Sequence, residues 1–401
     1  MENKIRFAII GTGSRGMHCF GKLLSKRDDC VVQALCDTNA YRGQVAAETL
    51  GIAAKVYPTV AELLAHETID AAVVTTPDGE HEACAVALLN AGINVLVDKP
   101  LSPKLSGCRN ILAAMEKNGK VAMMGFNLRH ILTLKKLKEL VDKGELGRIF
   151  LIENREFYDG GRTYMSRWNG KKSLSGGLWI HKGSHDFDVF NWLLGFPKPK
   201  KVFATCGMNV FLPGNYPFEL RPGVKPGPCC SECPYGSKAG SGDCPDCCVY
   251  EGREWGKEAQ KLDGYVKDSC MYQSDLSVHD NGIATVEYEN GARASHMECF
   301  VTSLTDRKYT VCGTLGVAEA SLGERRIVVT KRWSKERAVY ELPAVDGSHG
   351  GADPSLVDSF VRAIKGGDVP QASLREGMLA TAIAEAAELS REEGRVVYPD
   401  V

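Results

Sequence analysis

The sequence predicts an α/β fold in its first third, with a doubly wound parallel sheet, followed by a second domain that is rich in strands. Short apolar runs alternate with helical patterns from residue 5 to about residue 100, which is typical of a parallel sheet with helices on both faces. After residue 150 the runs alternate between apolar and polar side chains, as strands with one exposed face do. A length of 401 residues suggests two domains, which we place at 1–126 and 127–401.

Charge and composition point to a small-molecule partner. Lys and Arg together number 49 and Asp and Glu 50, so the chain lacks the basic field that binds nucleic acid or an acidic membrane surface. Its apolar runs are shorter than the roughly 18 residues of a membrane-spanning helix, and the N-terminal run is too short for a signal peptide. The sequence therefore predicts a cytoplasmic protein with no nucleic-acid and no membrane partner.

The first elements are a strand, a glycine turn and a helix. The run IRFAII is followed directly by GTGSRG and then by a helical pattern. In such a turn Gly11 permits a tight bend, Gly13 lets the backbone approach a pyrophosphate, and Gly16 allows close packing of helix on strand. The loop residues Ser14 and Arg15 belong to the same predicted dinucleotide site.

The second strand, CVVQALC, ends at Asp37, which lies 21 residues after Gly16. A carboxylate at this place accepts hydrogen bonds from the adenosine ribose hydroxyls and repels a 2′-phosphate. We therefore expect NAD rather than NADP, although Arg42 nearby keeps NADP open. A glycine-rich turn without a cofactor is the alternative.

The alternation continues with the strands KVYPTV, DAAVVTTP and INVLVDKP and with helices at AELLAHE and at 80–91. Ligands of such sheets lie beyond the carboxyl ends of the strands. The polar and turn residues at these ends are therefore candidate cofactor-binding residues, although each could be an ordinary turn residue. Lys99 is the most informative of them, because a lysine held by a following proline can point its ammonium at a substrate oxygen. The candidates are Thr76, Pro77, His81, Lys99 and Asn127.

The stretch 175–195, SGGLWIHKGSHDFDVFNWLLG, predicts a buried helix that carries chemistry. Ser175 is a plausible N-cap, and Gly195 is placed to end the helix. His181, His185 and Asp188 stand at i, i+4 and i+7 and so share one face, with Lys182 beside it. A single core histidine, or a metal held by two histidines, is possible, but we favour acid/base work over metal binding because the Glu of an H-E-x-x-H motif is missing.

The second domain opens with strand patterns at FLIENREFY and KKVFATCGMNVF and continues with GIATVEYEN, ARASHMECFV and KYTVCGT. Between the first two lies the loop RTYMSRWNG, in which Arg167 and Trp168 could hold and cover a sugar. Asp188 of the helix is the third predicted substrate residue. Packing of the loop is the alternative. Helical patterns return from residue 353, and His349 just before them could approach the cleft.

Residues 212–270 interrupt the strand pattern with a Pro- and Gly-rich passage, named here the cysteine insert. Six of the 15 cysteines lie between 229 and 248. Two pairs, each with two residues between the cysteines, stand ten residues apart, which is the spacing of a structural zinc site. An iron–sulfur cluster and reduced thiols in a loop remain open. The predicted metal ligands are Cys230, Cys233, Cys244 and Cys247.

The motifs GTGSRG, TTPDGEH, VDKP and GGLWIHKGSHDFD, in this order over nearly the whole chain, resemble the Gfo/Idh/MocA family of nicotinamide-dependent sugar and inositol oxidoreductases. The resemblance implies an N-terminal Rossmann domain and a C-terminal domain with a large, mostly antiparallel open sheet. This sheet would offer a face for association into a homodimer or homotetramer.

The resemblance also implies catalysis by the Lys of an E-K-P motif and by the Asp and His of a D-x-x-x-H helix. By position Lys99 and His185 match the family lysine and histidine, whereas Asp98 replaces the Glu and His181 replaces the Asp. The second change removes a fixed negative charge beside the base. Lys182 is either a further cation of the site or a solvated lysine.

Three functions follow as hypotheses. The first is NAD-dependent hydride transfer to or from a secondary hydroxyl of a sugar, glycoside or cyclitol, with His185 taking the proton and Lys99 polarising the oxygen. The second is an NAD-dependent glycosidase or lyase that works by transient C3 oxidation and elimination, because His181, Lys182 and His185 offer more acid/base groups than simple dehydrogenation needs. The third is a non-catalytic NAD-binding sensor.

Overall fold

A computed structural model describes residues 4–237, 240–248, 255–367 and 369–401. Over these ranges the strands form two sheets, of six and eight strands, which we call the N-terminal sheet and the C-terminal sheet. In the same ranges every helix falls short of the length and apolarity needed to cross a membrane.

The N-terminal sheet is parallel, with strand order β3-β2-β1-β4-β5-β6, as the doubly wound pattern predicts. Its strands are β1 Ile5–Ile10, β2 Cys30–Cys36, β3 Lys55–Tyr57, β4 Ala71–Val74, β5 Asn94–Val97 and β6 Ala122–Met124. The strand order reverses between β1 and β4, so the loop after β1 opens at the crevice where such sheets bind ligands.

The helices of this part connect the strands. A π-helical segment, Arg15–Gly21, follows the glycine loop and continues into a short α-helix. The helices are α1 Lys22–Leu24, α2 Ala40–Leu50, α3 Val60–His66, α4 His81–Asn90 and α5 Leu105–Asn118. Asn39 and Thr59 cap α2 and α3 with their side chains, and the left-handed Gly51 and Gly119 end α2 and α5.

The C-terminal sheet has the order β14-β13-β12-β11-β7-β10-β9-β8 and is antiparallel except for the β7–β10 pair. Five of its strands match predicted runs, and the three after β11 were not predicted. The strands are β7 Ile149–Phe157, β8 Pro199–Gly207, β9 Asn281–Tyr288, β10 Arg293–Cys299, β11 Asp306–Gly313, β12 Gly316–Ser321, β13 Arg326–Lys331 and β14 Arg337–Glu341.

Two long helices, α9 and α12, contact this sheet and each other, and together they bury one of its faces. The remaining helices in chain order are α6 Leu132–Asp142, α7 Gly161–Met165, α8 Lys172–Ser175, α9 Ser184–Leu194, α10 Trp255–Asp263, α11 Ala352–Ile364 and α12 Leu374–Glu393. A capping box of Ser373 and Glu376 begins α12.

Helix α11 packs on the N-terminal sheet, although it follows the C-terminal sheet in sequence. Leu356, Val357, Phe360 and Val361 share one core cluster with residues of β1 and β2. The rings of Phe7 and Phe360 meet edge to face with centroids 6.2 Å apart. The boundary that we place at residue 126 therefore separates the two sheets. It does not separate the hydrophobic cores, because α11 contributes to the core of the N-terminal sheet.

The cysteine insert lies between β8 and β9. Its two ends are joined through an isolated bridge between Cys229 and Ser269 and through the bond from the Cys230 amide to the Asp268 carbonyl, 2.8 Å long. Helix α10 of the insert contacts α2 of the N-terminal part. The insert thus reaches from the C-terminal sheet to the other domain.

Candidate active site

A cleft of about 870 Å³ lies at the carboxyl ends of the N-terminal strands. The structure brings nearly all the predicted cofactor-binding and catalytic residues to its walls. Two predicted residues, Gly16 and Asp188, lie outside it. Those that line it are Gly11, Gly13, Ser14, Arg15, Asp37, Thr76, Pro77, His81, Lys99, Asn127, Arg167, Trp168, His181, Lys182 and His185.

The glycine loop has the form that a pyrophosphate needs. Gly11 has a φ of +87°, and a Cβ there would lie 2.7 Å from the amide of Thr76. A Cβ on Gly16 would lie 2.0 Å from the carbonyl oxygen of Gly11, so Gly16 serves helix packing below the cleft. A Cβ on Gly13 would meet nothing within 4 Å, which leaves the loop open to the cleft. These residues fit a dinucleotide.

Asp37 is buried at the end of β2, and protein donors hold both of its oxygens. Oδ2 accepts from the amide and hydroxyl of Thr12 at 2.9 and 2.7 Å, and Oδ1 accepts from the amide of Asn39 at 2.9 Å. Arg42 donates to Oδ1 at 3.0 Å. Arg42, whose presence left NADP as an alternative cofactor, is therefore paired with Asp37, the carboxylate expected to favour NAD.

Two predicted cofactor-binding residues, His81 and Asn127, also make hydrogen bonds within the protein. Both ring nitrogens of His81 lie close to backbone carbonyls, Nδ1 at 2.7 Å from Pro100 and Nε2 at 3.0 Å from Thr76. His81 thus ties together the loops after β4 and β5. The amide nitrogen of Asn127 donates to Asp353, whereas its Oδ1 is buried without a partner among the described residues, as expected of a group that awaits a ligand donor.

Lys99 follows β5 in a cis Lys99–Pro100 bond, and its Nζ donates to the carbonyl of His181 at 2.5 Å. Burial lowers the pKa of Lys99 to about 8, against the opposing effect of Asp78 and Asp98. The ammonium therefore titrates close to neutral pH, in the range where a group that polarises a hydroxyl oxygen works.

The predicted helix 175–195 is divided in two, and Ser175 is not its N-cap. Ser175 lies at the end of α8, which the left-handed Gly176 terminates. A π-helical turn, Trp179–Gly183, follows and leads into α9, which Gly195 ends in the left-handed conformation as predicted. Two consecutive glycines, with φ of +76° and +109°, separate α8 from this turn, so the helix begins after them and not at Ser175.

His181 lies in the π-helical turn and is fully bonded. Its Nδ1 is 2.7 Å from Oδ2 of Asp78, and its Nε2 is 2.9 Å from the amide nitrogen of Asn169. Because an amide nitrogen can only donate, Nε2 accepts and Nδ1 carries the proton to Asp78. Burial lowers the pKa of His181 despite Asp78, so the ring is neutral. Both ring nitrogens of His181 are therefore engaged by the protein.

Asp78 was not predicted. It is buried and stands in TTPDGEH just after β4, at a strand end where the search for site residues could have included it. Where the resembling family has an Asp on the helix, this chain has His181 with Asp78 opposite. A negative charge is thus present in the site, but it comes from another element.

His185 lies one turn further along and is the residue best placed to take a proton. Its Nδ1 is buried and has no hydrogen-bond partner in the described ranges. Burial, together with Lys99, Arg307 and Lys182, holds its pKa well below 6.5. The ring is therefore neutral at pH 7, and burial is the leading cause of the lowered pKa.

Lys182 also lines the cleft and is not a solvated lysine. Its Nζ is 2.9 Å from Glu156 and lies over the rings of Tyr158 and Tyr164. Burial would lower the pKa of Lys182, but Glu156 outweighs this and raises it. Lys182 is a fixed cation and does not accept a proton at neutral pH.

A buried charge network underlies the helix and was missed by sequence reasoning. Arg307 pairs with Glu156 at 2.5 Å and with Asp186 at 2.8 Å. Burial raises the pKa of Asp186 to about 6 despite Arg307. These groups stand far apart in sequence on β7, α9 and β11, and no local pattern pairs them.

Of the predicted substrate residues, Asp188 is placed elsewhere. It is fully buried and paired with Arg129, with oxygen–nitrogen distances of 2.5 and 2.8 Å. The shared face was predicted from regular α-helical spacing, and the π-helical turn Trp179–Gly183 before α9 breaks that spacing. Arg167 and Trp168 do lie at the cleft, and the Trp168 ring contacts that of His181 at 5.2 Å.

The cysteine insert gathers thiols around a cavity of about 10 Å³, close to the size of one water. All four predicted ligands line it, with Cys270 in addition. Among the described residues, however, the sulfur atoms do not form a cluster in which three or more lie within 4.8 Å of one another. Glu156, His296 and Glu298 do place potential ligand atoms within that distance. The metal thus stays a prediction. Lys182 and Arg307 already neutralise Glu156, which makes that other group an ion-pair network.

Comparison with known proteins shows the family of the chain. Residues 5–126 match the family model of an oxidoreductase NAD-binding Rossmann fold, and residues 138–398 match that of the C-terminal alpha/beta domain of the same family. The putative oxidoreductase YteT of Bacillus subtilis (strain 168) is 26% identical over 308 residues, which are 73% of this chain and 72% of the relative.

Inositol 2-dehydrogenase of Salmonella paratyphi B is 28% identical over 211 residues, so that the match covers 50% of this chain and 60% of the relative. A solved levoglucosan dehydrogenase, in complex with NADH and levoglucosan, superposes with a TM-score of 0.76 over 100% of both chains at 16% identity, which shows a common fold. The chain therefore belongs to the Gfo/Idh/MocA family of NAD(P)-dependent sugar and inositol oxidoreductases.

Proposed function

We propose that the protein transfers a hydride between NAD and a secondary hydroxyl of a sugar, glycoside or cyclitol. The observation that carries the proposal is the convergence of Lys99 and His185 in one cleft with the glycine loop. Bound NAD would supply the hydride acceptor. The inositol and levoglucosan named for the two relatives above are both cyclic polyols, which supports this substrate class.

The roles of the chain's own residues follow from their environment. In the oxidation direction His185, which is neutral and lines the cleft, takes the hydroxyl proton. Lys99 stabilises the negative charge that develops on the substrate oxygen. His181 holds Lys99 through its backbone carbonyl and is itself held by Asp78 and Asn169. Arg167 and Trp168 bind and cover the sugar.

The redox-neutral glycosidase hypothesis rested on a surplus of acid/base groups. His181 is bonded at both nitrogens, and Lys182 is paired with Glu156, so the surplus is not free to act. No contact in the described ranges favours elimination over simple dehydrogenation. Lys99 and His185, both at the cleft, argue against a non-catalytic sensor.

The deciding experiment incubates the purified protein with NAD and a panel of p-nitrophenyl glycosides, free sugars and inositols. We expect absorbance of NADH at 340 nm with at least one cyclic polyol and no release of p-nitrophenol. Release of the aglycone without net NADH would contradict the proposal in favour of elimination chemistry. Lack of both signals, with NAD bound, would favour the sensor.

The exposed face of the C-terminal sheet is the proposed contact between subunits in a homodimer or homotetramer. Leu151, Phe203, Ile283 and Met297 share this face and are each 36% to 43% exposed. Ile283 and Met297 lie directly opposite each other on neighbouring strands. In light-scattering chromatography Ile283→Arg should shift the wild-type oligomer towards the monomer, and an unchanged mass would oppose this contact.

The cysteine insert is proposed to hold one structural metal ion, with zinc first. Five thiols that line one cavity support this, and a metal would draw their sulfur atoms to about 3.8 Å from one another, as tetrahedral bonds of about 2.3 Å require. Elemental analysis of protein purified without chelator should find about one equivalent of zinc or iron per chain. Less than half an equivalent would oppose it.

A further inference from the structure

The adenosine end of the cleft includes a segment that does not belong to the N-terminal domain. Helix α10 of the cysteine insert ends at Asp263, and Asp263, Tyr265 and Lys267 line the same cleft as Asp37 and Thr38. The wall of the cofactor site is thus completed by a part of the chain more than 200 positions away in sequence.

This wall is bonded to the end of β2 and the start of α2. The side-chain amide of Asn39, the N-cap of α2, donates to the carbonyl of Ala259 at 2.8 Å and to Oδ2 of Asp263 at 2.7 Å. Arg42 donates to the same oxygen at 2.5 Å. Three contacts therefore fasten the last turn of α10 to the residues that surround the predicted ribose site.

Arg42 lies between two carboxylates. One arm of its guanidinium contacts Asp37 at 3.0 Å and the other contacts Asp263 at 2.5 Å, and only 14% of its side chain is exposed. In sites that accept a 2′-phosphate, an arginine near this position must be free to pair with it. Here both arms are engaged, and two carboxylates would face the incoming phosphate.

We infer that Asp263 is a specificity residue for the cofactor, which holds Arg42 away from a 2′-phosphate and thereby excludes NADP. This rests on the proposed NAD-dependent function and extends it to the cysteine insert. Asp37 alone leaves one arm of Arg42 available for a phosphate, and Asp263 takes that arm. The insert thus fixes the cofactor preference from outside the dinucleotide-binding domain.

The chain that follows Asp263 is held by hydrogen bonds to residues next to the cysteines, which fits this role. Asp268, one residue after Lys267, accepts the amide of Ser231 at 2.7 Å through its side chain and the amide of Cys230 at 2.8 Å through its carbonyl. The amide of Cys270 donates to the carbonyl of Pro228 at 2.8 Å. The chain that carries Asp263 into the cleft is therefore anchored on the cysteine cluster.

The test measures nucleotide binding directly, without turnover. Dissociation constants for 5′-AMP, 2′,5′-ADP, NAD and NADP are determined by calorimetry for the wild type, Asp263→Asn and Glu258→Gln. Glu258 lies on the same helix, is half exposed and pairs with Lys261, so its substitution removes the same charge away from the cleft. Circular dichroism and the thermal midpoint show whether each variant is folded.

We expect Asp263→Asn to bind 2′,5′-ADP and NADP about tenfold more tightly than the wild type, a change of about 1.4 kcal/mol, since the loss of the charge weakens the hold on Arg42 and removes one of the two carboxylates that would face the phosphate. Binding of 5′-AMP and NAD should change less than threefold, and Glu258→Gln should match the wild type. An unchanged ratio of NADP to NAD in a folded Asp263→Asn variant would overturn the inference.

Asp37→Ala separates this outcome from failure of the proposed cofactor. If Asp37→Ala loses the preference for NAD while Asp263→Asn keeps it, NAD dependence stands and the role of Asp263 is wrong. If the wild type binds NADP as tightly as NAD, the proposed cofactor itself is wrong.

Discussion

The pH dependence of the reaction provides a sharp test of the site, because its two working groups titrate far apart. Burial holds the pKa of His185 well below 6.5, so the acid limb of the profile should lie well below that pH. Lys99 must be protonated to stabilise the developing charge, and its pKa is about 8. We expect kcat/KM to fall above about pH 8 as Lys99 loses its proton.

A substitution at Asp78 should shift the alkaline limb of the pH profile. Its carboxylate favours the charged form of Lys99 and so raises a pKa that burial lowers. Asp78→Asn removes the charge but keeps an oxygen that can accept from Nδ1 of His181, 2.7 Å away in the wild type. The pKa of Lys99 should therefore fall while the geometry stays.

The size of the shift follows from Coulomb's law. At an effective dielectric constant of about 20, two unit charges interact with about 4 kcal/mol at about 4 Å and less at longer range, and one pKa unit corresponds to about 1.4 kcal/mol. The cleft is open to solvent, which screens the pair, so we expect a shift of about one unit. Activity at pH 8 should then fall about fivefold, because the protonated fraction of Lys99 falls from about one half to about one tenth.

The assay is kcat/KM for the best substrate from pH 5 to pH 10, followed through NADH. Glu82→Gln is the matched control, since it removes the same charge four residues from Asp78. The side chain of Glu82 accepts a hydrogen bond from Asn110 and lies outside the cleft. An alkaline limb of Asp78→Asn that stays in place or moves up would refute the assigned coupling between Asp78 and Lys99.

Three further predictions follow from the same geometry. His185→Ala should lower kcat by about 10² or more while the Kd for NAD stays near the wild-type value, because it removes the proton acceptor; turnover at the normal rate would exclude His185 as the base. Arg129→Met should cost about 3 to 5 kcal/mol in urea unfolding, because it leaves Asp188 buried without its partner; the pKa of Asp188, which burial already raises to about 6, should then rise further, so that the carboxyl takes up a proton at neutral pH. A loss below 1 kcal/mol would contradict the burial of that pair. Cys230→Ser and Cys247→Ser should each reduce the bound metal below half an equivalent and lower the thermal midpoint, whereas Cys312→Ser, far from the insert, should change neither.

The first domain could be predicted from the sequence because its signals are local. Each parallel strand is a short apolar run next to a turn, and the glycine loop, Asp37 and Lys99 all stand within a few residues of a strand end. The structure accordingly places the strands β1 and β2 at the predicted residues. The residues of the cleft could be found because the carboxyl ends of parallel strands meet at one edge.

The second domain was harder, since its partners are distant in sequence. The strands β12 to β14 are short and were not recognised, and the pairing of Arg307 with Glu156 and Asp186 depends on which strand lies next to which. The break in the predicted helix has a different cause. The sequence placed the N-cap at Ser175, so that Gly176 and Gly177 would begin the helix, whereas their left-handed conformation ends α8 and delays the start of the next helix.

The packing of α11 on the N-terminal sheet bears on how the chain acquires its structure during synthesis. A nascent chain that has left the ribosome up to residue 126 contains all the strands of that sheet but lacks Leu356 and Phe360, which fill part of its core. The apolar surface around Phe7 therefore stays without its α11 partners until the second sheet and α11 have been translated. The first core is thus complete only after α11 has been synthesised and has packed on the sheet.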